Sequence, residues 1–197
     1  MMKRLTKTLV ACFFFVQLCP WISWAAVYQI DPVHSNIGFA IKHLMVSTTR
    51  GKFADYSGQI EFDPKSANVF KAEVTIQASS IDTDNADRDN HLKSADFLDT
   101  ANHSAINFRS KKLIEKDGGY EIMGDLSIHG ITKEIAMPVT ISGPIQSPSG
   151  KEVIGISGET TINRQDFGVS WNKVMDKGGL MVDNNVRIIV DIEAGKE

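Results

Sequence analysis

The stretch VFKAEVTIQASSI, residues 69–81, alternates more cleanly than any other part of the chain. Ala72, Val74, Ile76 and Ala78 fall on one side of it, and Lys71, Glu73, Thr75 and Gln77 on the other. Successive side chains of a strand point to opposite faces, so a period of two describes a strand buried on one face and wet on the other. This reading decides the fold class, because the same pattern recurs on both sides of the stretch.

Upstream, Ile37, Phe39, Ile41 and His43 share one face of residues 35–43, and Tyr56, Gly58, Ile60 and Phe62 share one face of the next strand. Between them, residues 48–51 look turn-like. Downstream come Ile106 and Phe108, then Tyr120, Ile122, Gly124, Leu126 and Ile128, with Asp117-Gly118-Gly119 as a hairpin signal. Ile135, Met137, Val139 and Ile141 follow, then Ile154, Ile156, Gly158, Thr160 and Ile162, and last Val186, Ile188, Val190 and Ile192. Residues 163–184 are irregular. The expectation is an all-β protein with eight antiparallel strands closed into a barrel, which removes the exposed edges. The interior of an eight-stranded barrel is either filled by side chains or able to hold one small ligand. Small inward residues (Ala72, Ala78, Gly58, Gly124, Gly158) favour a cavity.

One segment breaks the period of two. NADRDNHLKSADFL, residues 85–98, spaces Arg88, His91, Leu92 and Ala95 as one face of a helix, with Asn85 placed to cap it. It falls between the third and fourth strands and is expected to act as a lid, with Leu92 and Phe97 packing onto the barrel.

The chain opens with Lys3, Arg4 and Lys7, an apolar run over residues 9–18, Pro20, and small residues at Ser23 and Ala25. That order describes a secretion signal, residues 1–25, cleaved after Ala25 and leaving residues 26–197 as a single domain. Both cysteines, Cys12 and Cys19, leave with it, so the mature chain has no disulfide and no thiolate. It keeps 18 basic against 24 acidic residues, a balance that argues against nucleic acid or an anionic membrane surface as partner. Export without disulfides points to a periplasm, with no stable insertion in the membrane once the signal is gone.

Chemical motifs are sparse. Residues 82–93 begin like a calcium loop, but Asp87 stands at the sixth position and Lys93 at the twelfth, where glycine and glutamate are required. Asp87 and His91 share a helix face; His34, His43, His103 and His129 are dispersed, and no metal site or cofactor is assigned. There is no G-x-S-x-G and no S-x-x-K, so no catalytic residue is assigned either. His43, an imidazole on an apolar face, is either a hydrogen-bond donor to a ligand or a core histidine with a satisfied partner.

Several motifs in fixed order resemble the YceI-like family. They are Asp31-Pro32-Val33-His34-Ser35 through Phe39, Lys42-His43-Leu44, Gly51-Lys52-Phe53, Ser80-Ile81-Asp82-Thr83, and the run from Arg88 to Phe97. Gly124-Asp125-Leu126 through Lys133 and Arg164-Gln165-Asp166-Phe167-Gly168 complete the set. His103-Ser104 departs from the aromatic-proline pair common in relatives. The resemblance implies a lipocalin-like barrel in the periplasm that holds a long-chain amphiphile: a polyisoprenoid, a quinone or a fatty-chain lipid. Phe39, Ile41, Phe53, Val74, Ile76, Phe108 and Ile122 would then supply the wall. His43 and Arg88 would meet a polar head, with His91 beside them, unless Arg88 is engaged by an acid such as Asp96. Barrels of this kind can also pair as homodimers through outer strand faces. The competing reading is a periplasmic hydrolase or metal-dependent enzyme using histidine and aspartate residues.

Overall fold

The computed structural model describes residues 25–197 apart from 65, 67, 68, 117 and 175–179. The export segment expected over residues 1–25 therefore lies, up to residue 24, outside the described residues, as do Asp117 of the expected hairpin turn and the Gly178-Gly179 pair.

Eleven strand segments form one antiparallel sheet: β1 (Ala26–Ile30), β2 (Asn36–His43), β3 (Ser47–Phe53), β4 (Tyr56–Phe62), β5 (Phe70–Gln77), β6 (Ile81–Asp82), β7 (Ala105–Lys116), β8 (Gly119–Ile128), β9 (Ile131–Gln146), β10 (Glu152–Asn163) and β11 (Val182–Lys196). A ring of eight, β1, β4, β5, β7, β8, β9, β10 and β11, is closed by pairing of β1 with β11. The remaining three extend it at one end. β1 and β2 lie one after the other along β11, Ile30 opposite Ala194 and Asn36 opposite Asp191. β3 then pairs with β2, and β6 with β3. The expected eight-stranded barrel is what forms, with its single α-helix, α1 (Ala86–Lys93), after the third stave.

One local expectation is overturned. Residues 48–51 are not a turn but the middle of β3, paired with β2 from Phe53 opposite Ile37 to Ser47 opposite His43. The turn falls at residues 44–46, where Leu44 and Met45 carry positive φ of 51° and 63°. The inward side of β3 is Thr49, Gly51 and Phe53, too weakly apolar to register as alternation. Gly51 is needed there because the Phe39 ring lies across it: a Cβ at this position would sit 2.5 Å from Phe39 Cζ.

The two ends of the barrel are closed differently. At one end the staves stay joined despite bulges at Val153/Gly155 and Ser110/Lys112. Where β5 leaves β7 beyond Glu73 opposite Arg109, the Ala72 amide donates to Ser110 Oγ at 2.8 Å. Tyr28, Ile60, Phe62, Ile154, Ile156 and Ala194 are all buried there. Tyr28 is 1 % exposed and donates to Glu152 Oε1 at 2.8 Å, which also accepts from Lys196 Nζ at 3.0 Å. Burial first, then this carboxylate, push the Tyr28 phenol up to about 12. At the other end two seams splay. β9 and β10 pair only as far as Val139 opposite Gly158; beyond that, Thr160 Oγ1 donates to the Ala136 carbonyl at 2.9 Å and a 3-10 turn, Arg164–Phe167, fills the gap. The outer face of this seam is a groove of about 330 Å³ beside Glu134, Thr160 and Asp166. β5 and β7 pair only to Gln77 opposite Ala105, and β6 pairs with β3 alone. α1 and the connector after it occupy that opening.

The helix is held by its end and its polar face. Asn85 Oδ1 accepts from the Arg88 amide at 2.9 Å, capping the first turn as expected. Asp89 Oδ1 accepts from the Thr83 amide at 2.9 Å, while Arg88 Nε donates to Thr83 Oγ1 at 2.8 Å and Arg88 Nη2 to the Thr83 carbonyl at 2.7 Å. No helical residue is buried. The helix stops at Lys93 with Ser94 as its C-cap, so Ala95, Phe97 and Leu98 belong to the connector and not to the helix.

Candidate functional site

The splayed end encloses an apolar cavity of about 310 Å³. Its wall is the inward face of the strands: Phe39 and Ile41 from β2, Phe53 from β3 and Ile76 from β5. These four are expected wall residues, and β7, β8, β10 and β11 add Ile106, Leu126, Ile162, Val186 and Ile188. Phe39, Ile41, Val186 and Ile188 point inward yet remain only half-buried, because the space in front of them is hollow. Protein interiors are packed as tightly as organic crystals, so an apolar void this large is a departure that asks for an occupant.

Val74, Phe108 and Ile122, also expected in the wall, do not line the cavity; Ile122 is buried in the core, and Val74 and Phe108 are half-buried against it. The Phe108 ring folds across Gly124, where a Cβ would come within 2.5 Å of Phe108 Cζ. The same geometry corrects the reading that small inward residues make the room. Ile30 reaches over Gly58, Phe108 over Gly124 and Val139 over Gly158, so each gap is taken up by a neighbour. The hollow is lined by large side chains and owes its width to the splayed seams.

The mouth is ringed by aromatic and polar groups. Leu92 lines it from α1 and Phe97 from the connector, with Phe97 buried at 7 % exposure. His91 lies edge-on to Phe97 at 4.9 Å and to Trp171 at 5.0 Å between ring centres, and Phe97 and Trp171 are 5.1 Å apart. His91 Nε2 is 2.9 Å from Asp96 Oδ2. Asp96 is thus the partner of His91 and not of Arg88, which is engaged by Thr83. Asp87, considered with His91 as a ligand pair, is exposed on the helix and has no part in this arrangement. His43 lines the cavity, and among the described residues its imidazole makes no hydrogen bond.

Two mouth residues were invisible in the sequence. Trp171 sits in the stretch read as irregular, where no periodicity marks an inward residue. Arg164 appeared only as part of a motif; it is 5 % exposed and lines the cavity. Its Nε donates to the Asp183 carbonyl at 2.9 Å, Nη1 to the Val169 carbonyl at 2.7 Å and Nη2 to Asn184 Oδ1 at 3.2 Å. Burial lowers its pKa, against the opposing pull of the Asp183 charge. A guanidinium that spends its donors on neutral carbonyls ties the 3-10 turn and the Val169 segment to β11 and puts a positive charge behind an apolar wall.

Such a site can sequester hydrocarbon and greet a polar group at its mouth. Among the described residues no helix is long and apolar enough to cross a membrane. A family model described as the YceI-like domain matches residues 28–194. A UPF0312 protein of Staphylococcus epidermidis is 39 % identical over 167 residues, covering 84 % of this chain and 95 % of its own. The crystal structure of BcnA from Burkholderia cenocepacia superposes with a TM-score of 0.74 at 24 % identity, covering 83 % of this chain and 98 % of BcnA. A polyisoprenoid binding domain from Saccharophagus degradans, implicated in plant cell wall breakdown, superposes at 0.63 and 15 % identity, covering 88 % and 99 %. At those identities the two structures speak for the shared barrel.

Proposed function

We propose, from the premise that this chain belongs to the YceI-like family, that it is a periplasmic binding protein holding the apolar tail of one long-chain amphiphile in the hollow end of its barrel. The observation that carries the reading is the cavity of about 310 Å³, walled by Phe, Ile and Val side chains and bordered by residues of α1 and by Trp171. Moving a tail from water onto that wall gains about 25 cal/mol for each Å² of apolar surface removed. Binding sites of this kind combine an apolar wall with a few placed polar groups. Here His43, Arg88 and His91 stand at the mouth where a head group would lie, and Leu92 and Phe97 close over the tail. A polyisoprenoid, a quinone and a fatty-chain lipid share this chemistry. The export signal read at the N terminus supports the periplasmic placement.

The polar groups at the mouth serve one another, Arg88 with Thr83 and His91 with Asp96, which favours binding over catalysis. The test is organic extraction and native mass spectrometry of protein purified from its host, followed by titration with a fluorescent fatty-chain or prenyl probe. A stoichiometric amphiphile and saturable probe binding are expected. A protein that comes out empty and binds neither probe would overturn the reading, and turnover abolished by His91→Ala with folding intact would replace it with the enzymatic one.

A further inference from the structure

Outside the barrel, three donors far apart in sequence meet. Asp99 and His103 lie on the connector between α1 and β7, and His129 lies in the turn between β8 and β9. The two imidazole rings are 4.5 Å apart between centres, and one donor atom from each of the three residues lies within 4.8 Å of the others. We propose that Asp99, His103 and His129 form a binding site for a divalent first-row transition metal ion, Zn²⁺ being the representative case.

Two imidazole nitrogens and a carboxylate oxygen are a donor set suited to Zn²⁺ and its neighbours, with water completing the shell. Donors around a tetrahedral ion stand about 3.3 Å apart, from bond lengths of about 2.0–2.1 Å. The remaining closure is within reach of side-chain rotation. All three residues are half-buried, and among the described residues neither histidine ring makes a hydrogen bond. Two imidazoles tilted at 59° to one another without hydrogen-bond partners are poorly served by one another and well served by a shared cation.

The surroundings hold the donors in place. The His103 amide donates to the Asp99 carbonyl at 2.8 Å, and Asn102 Nδ2 donates to Asp99 Oδ2, also at 2.8 Å, orienting the carboxylate. Gly130 makes space for one ring, since a Cβ there would stand 2.8 Å from His103 Cε1. Gly168 borders the other, its Cβ position lying 3.2 Å from His129 Nδ1. The other mixed cluster, Asp31, His34 and Glu193, differs in that His34 is exposed and already paired with Asp31 at 2.9 Å. An ion at Asp99, His103 and His129 ties the connector that carries Phe97 and Leu98 to the wall of the barrel. This last consequence rests on the proposed lipid-binding function; the site itself does not.

The test is isothermal titration calorimetry of untagged, chelator-treated protein with Zn²⁺. One ion per chain is expected, with affinity reduced tenfold or more by His103→Gln and by His129→Asn, and unchanged by His34→Ala. Asn suits position 129, whose φ of 52° few other residues accept, so the fold is preserved and circular dichroism checks it. Co²⁺ added to the wild type should give visible d–d absorption that His129→Asn abolishes. Absence of saturable binding, or wild-type affinity retained in both site variants, overturns the proposal. Dissociation of a bound fatty-chain probe should slow when Zn²⁺ is present, in the wild type and not in His129→Asn; an unchanged rate with Zn²⁺ bound overturns the tie to the lid, whereas a probe that never binds overturns the lipid reading and leaves the metal site to calorimetry.

Discussion

The two ends of this barrel are built from the same residue types and do opposite things with them. At the closed end, isoleucines such as Ile154 and Ile156 are packed on all sides. At the splayed end, Ile41 and Ile188 occupy equivalent inward positions and face a hollow. The difference lies in how the backbone is joined. At the closed end the ladders run on through bulges at Val153/Gly155 and Ser110/Lys112, and Ser110 bridges the gap where β5 leaves β7, so side chains interlock. Two interrupted ladders, patched by α1 on one seam and by Arg164–Phe167 on the other, hold the walls apart. Stability is concentrated at one end and capacity at the other.

The sharpest way to break this comparison is the same truncation at both ends. Ile154→Ala, at 2 % exposure, should cost about 2–5 kcal/mol in chemical denaturation, the range for a well-packed core site. Ile188→Ala removes the same atoms from a wall that already lacks partners on one side, and should cost roughly 1–2 kcal/mol while weakening probe binding. Equal losses would mean that the splayed end is not hollow in solution.

Next in size is an alkaline transition confined to the closed end. Tyr28 has its phenol raised from 10.0 to about 12. A raised pKa means the stabilisation is complete below the unfolded value and is lost as pH rises through the folded one. Stability should therefore fall between about pH 10 and 12, by up to roughly 2–3 kcal/mol at 1.36 kcal/mol per unit. Tyr28→Phe should reduce that slope, leaving the part supplied by the Tyr56 phenol, which burial also raises, and a spectrophotometric titration of wild type against variant reads the difference.

Filling the hollow separates capacity from stability. Val186→Phe places a ring in vacant space, so denaturation should change by less than about 1 kcal/mol, whereas overpacking a filled core typically costs about 1–3. Probe affinity should fall at least tenfold, or about 1.4 kcal/mol. Full affinity in this variant would place the ligand elsewhere.

The smallest effect lies at the boundary, where β1 passes into β2. His34 is raised by its hydrogen bond to Asp31, and Asp31 is lowered by the same contact. The His34 contribution is complete below its unfolded value and lost as pH rises through the raised one. The Asp31 contribution is present above its unfolded value and lost as pH falls through the lowered one. The pair acts between those limits, and both groups are well exposed, so His34→Ala should shift the thermal midpoint slightly in mild acid and not at all in mild alkali.

The fold was legible because seven of the eight staves announce themselves by alternation, and because Asn85 caps a helix whose spacing differs from everything around it. β3 was missed for a physical reason: its inward side is Thr49, Gly51 and Phe53, and its pairing with β2 is decided by the Phe39 ring lying on Gly51, a contact between strands that no local pattern carries. The cavity lining was legible only in part. Alternation shows which way Val74, Phe108 and Ile122 point but not where their side chains end up: Phe108, level with the lining residue Leu126, folds across Gly124 instead. Trp171 and Arg164 reach the mouth through tertiary contacts alone. His103 and His129 are 26 positions apart in sequence and meet only because the β8–β9 turn comes up beside the connector.

The splayed seams have one more consequence, for how the molecule opens. Where β9 leaves β10, and β6 fails to meet β7, the backbone amides of each strand are protected from one neighbour only. Local opening there breaks side-chain contacts such as Thr160 to Ala136 while the ring of eight stays intact. Hydrogen exchange should therefore be graded along the barrel axis, slow where Ile154 and Ala194 lie and fast at residues 131–138 and 159–163. That opening would give the proposed amphiphile's tail a way past the seams without any strand being unpaired from the closed end.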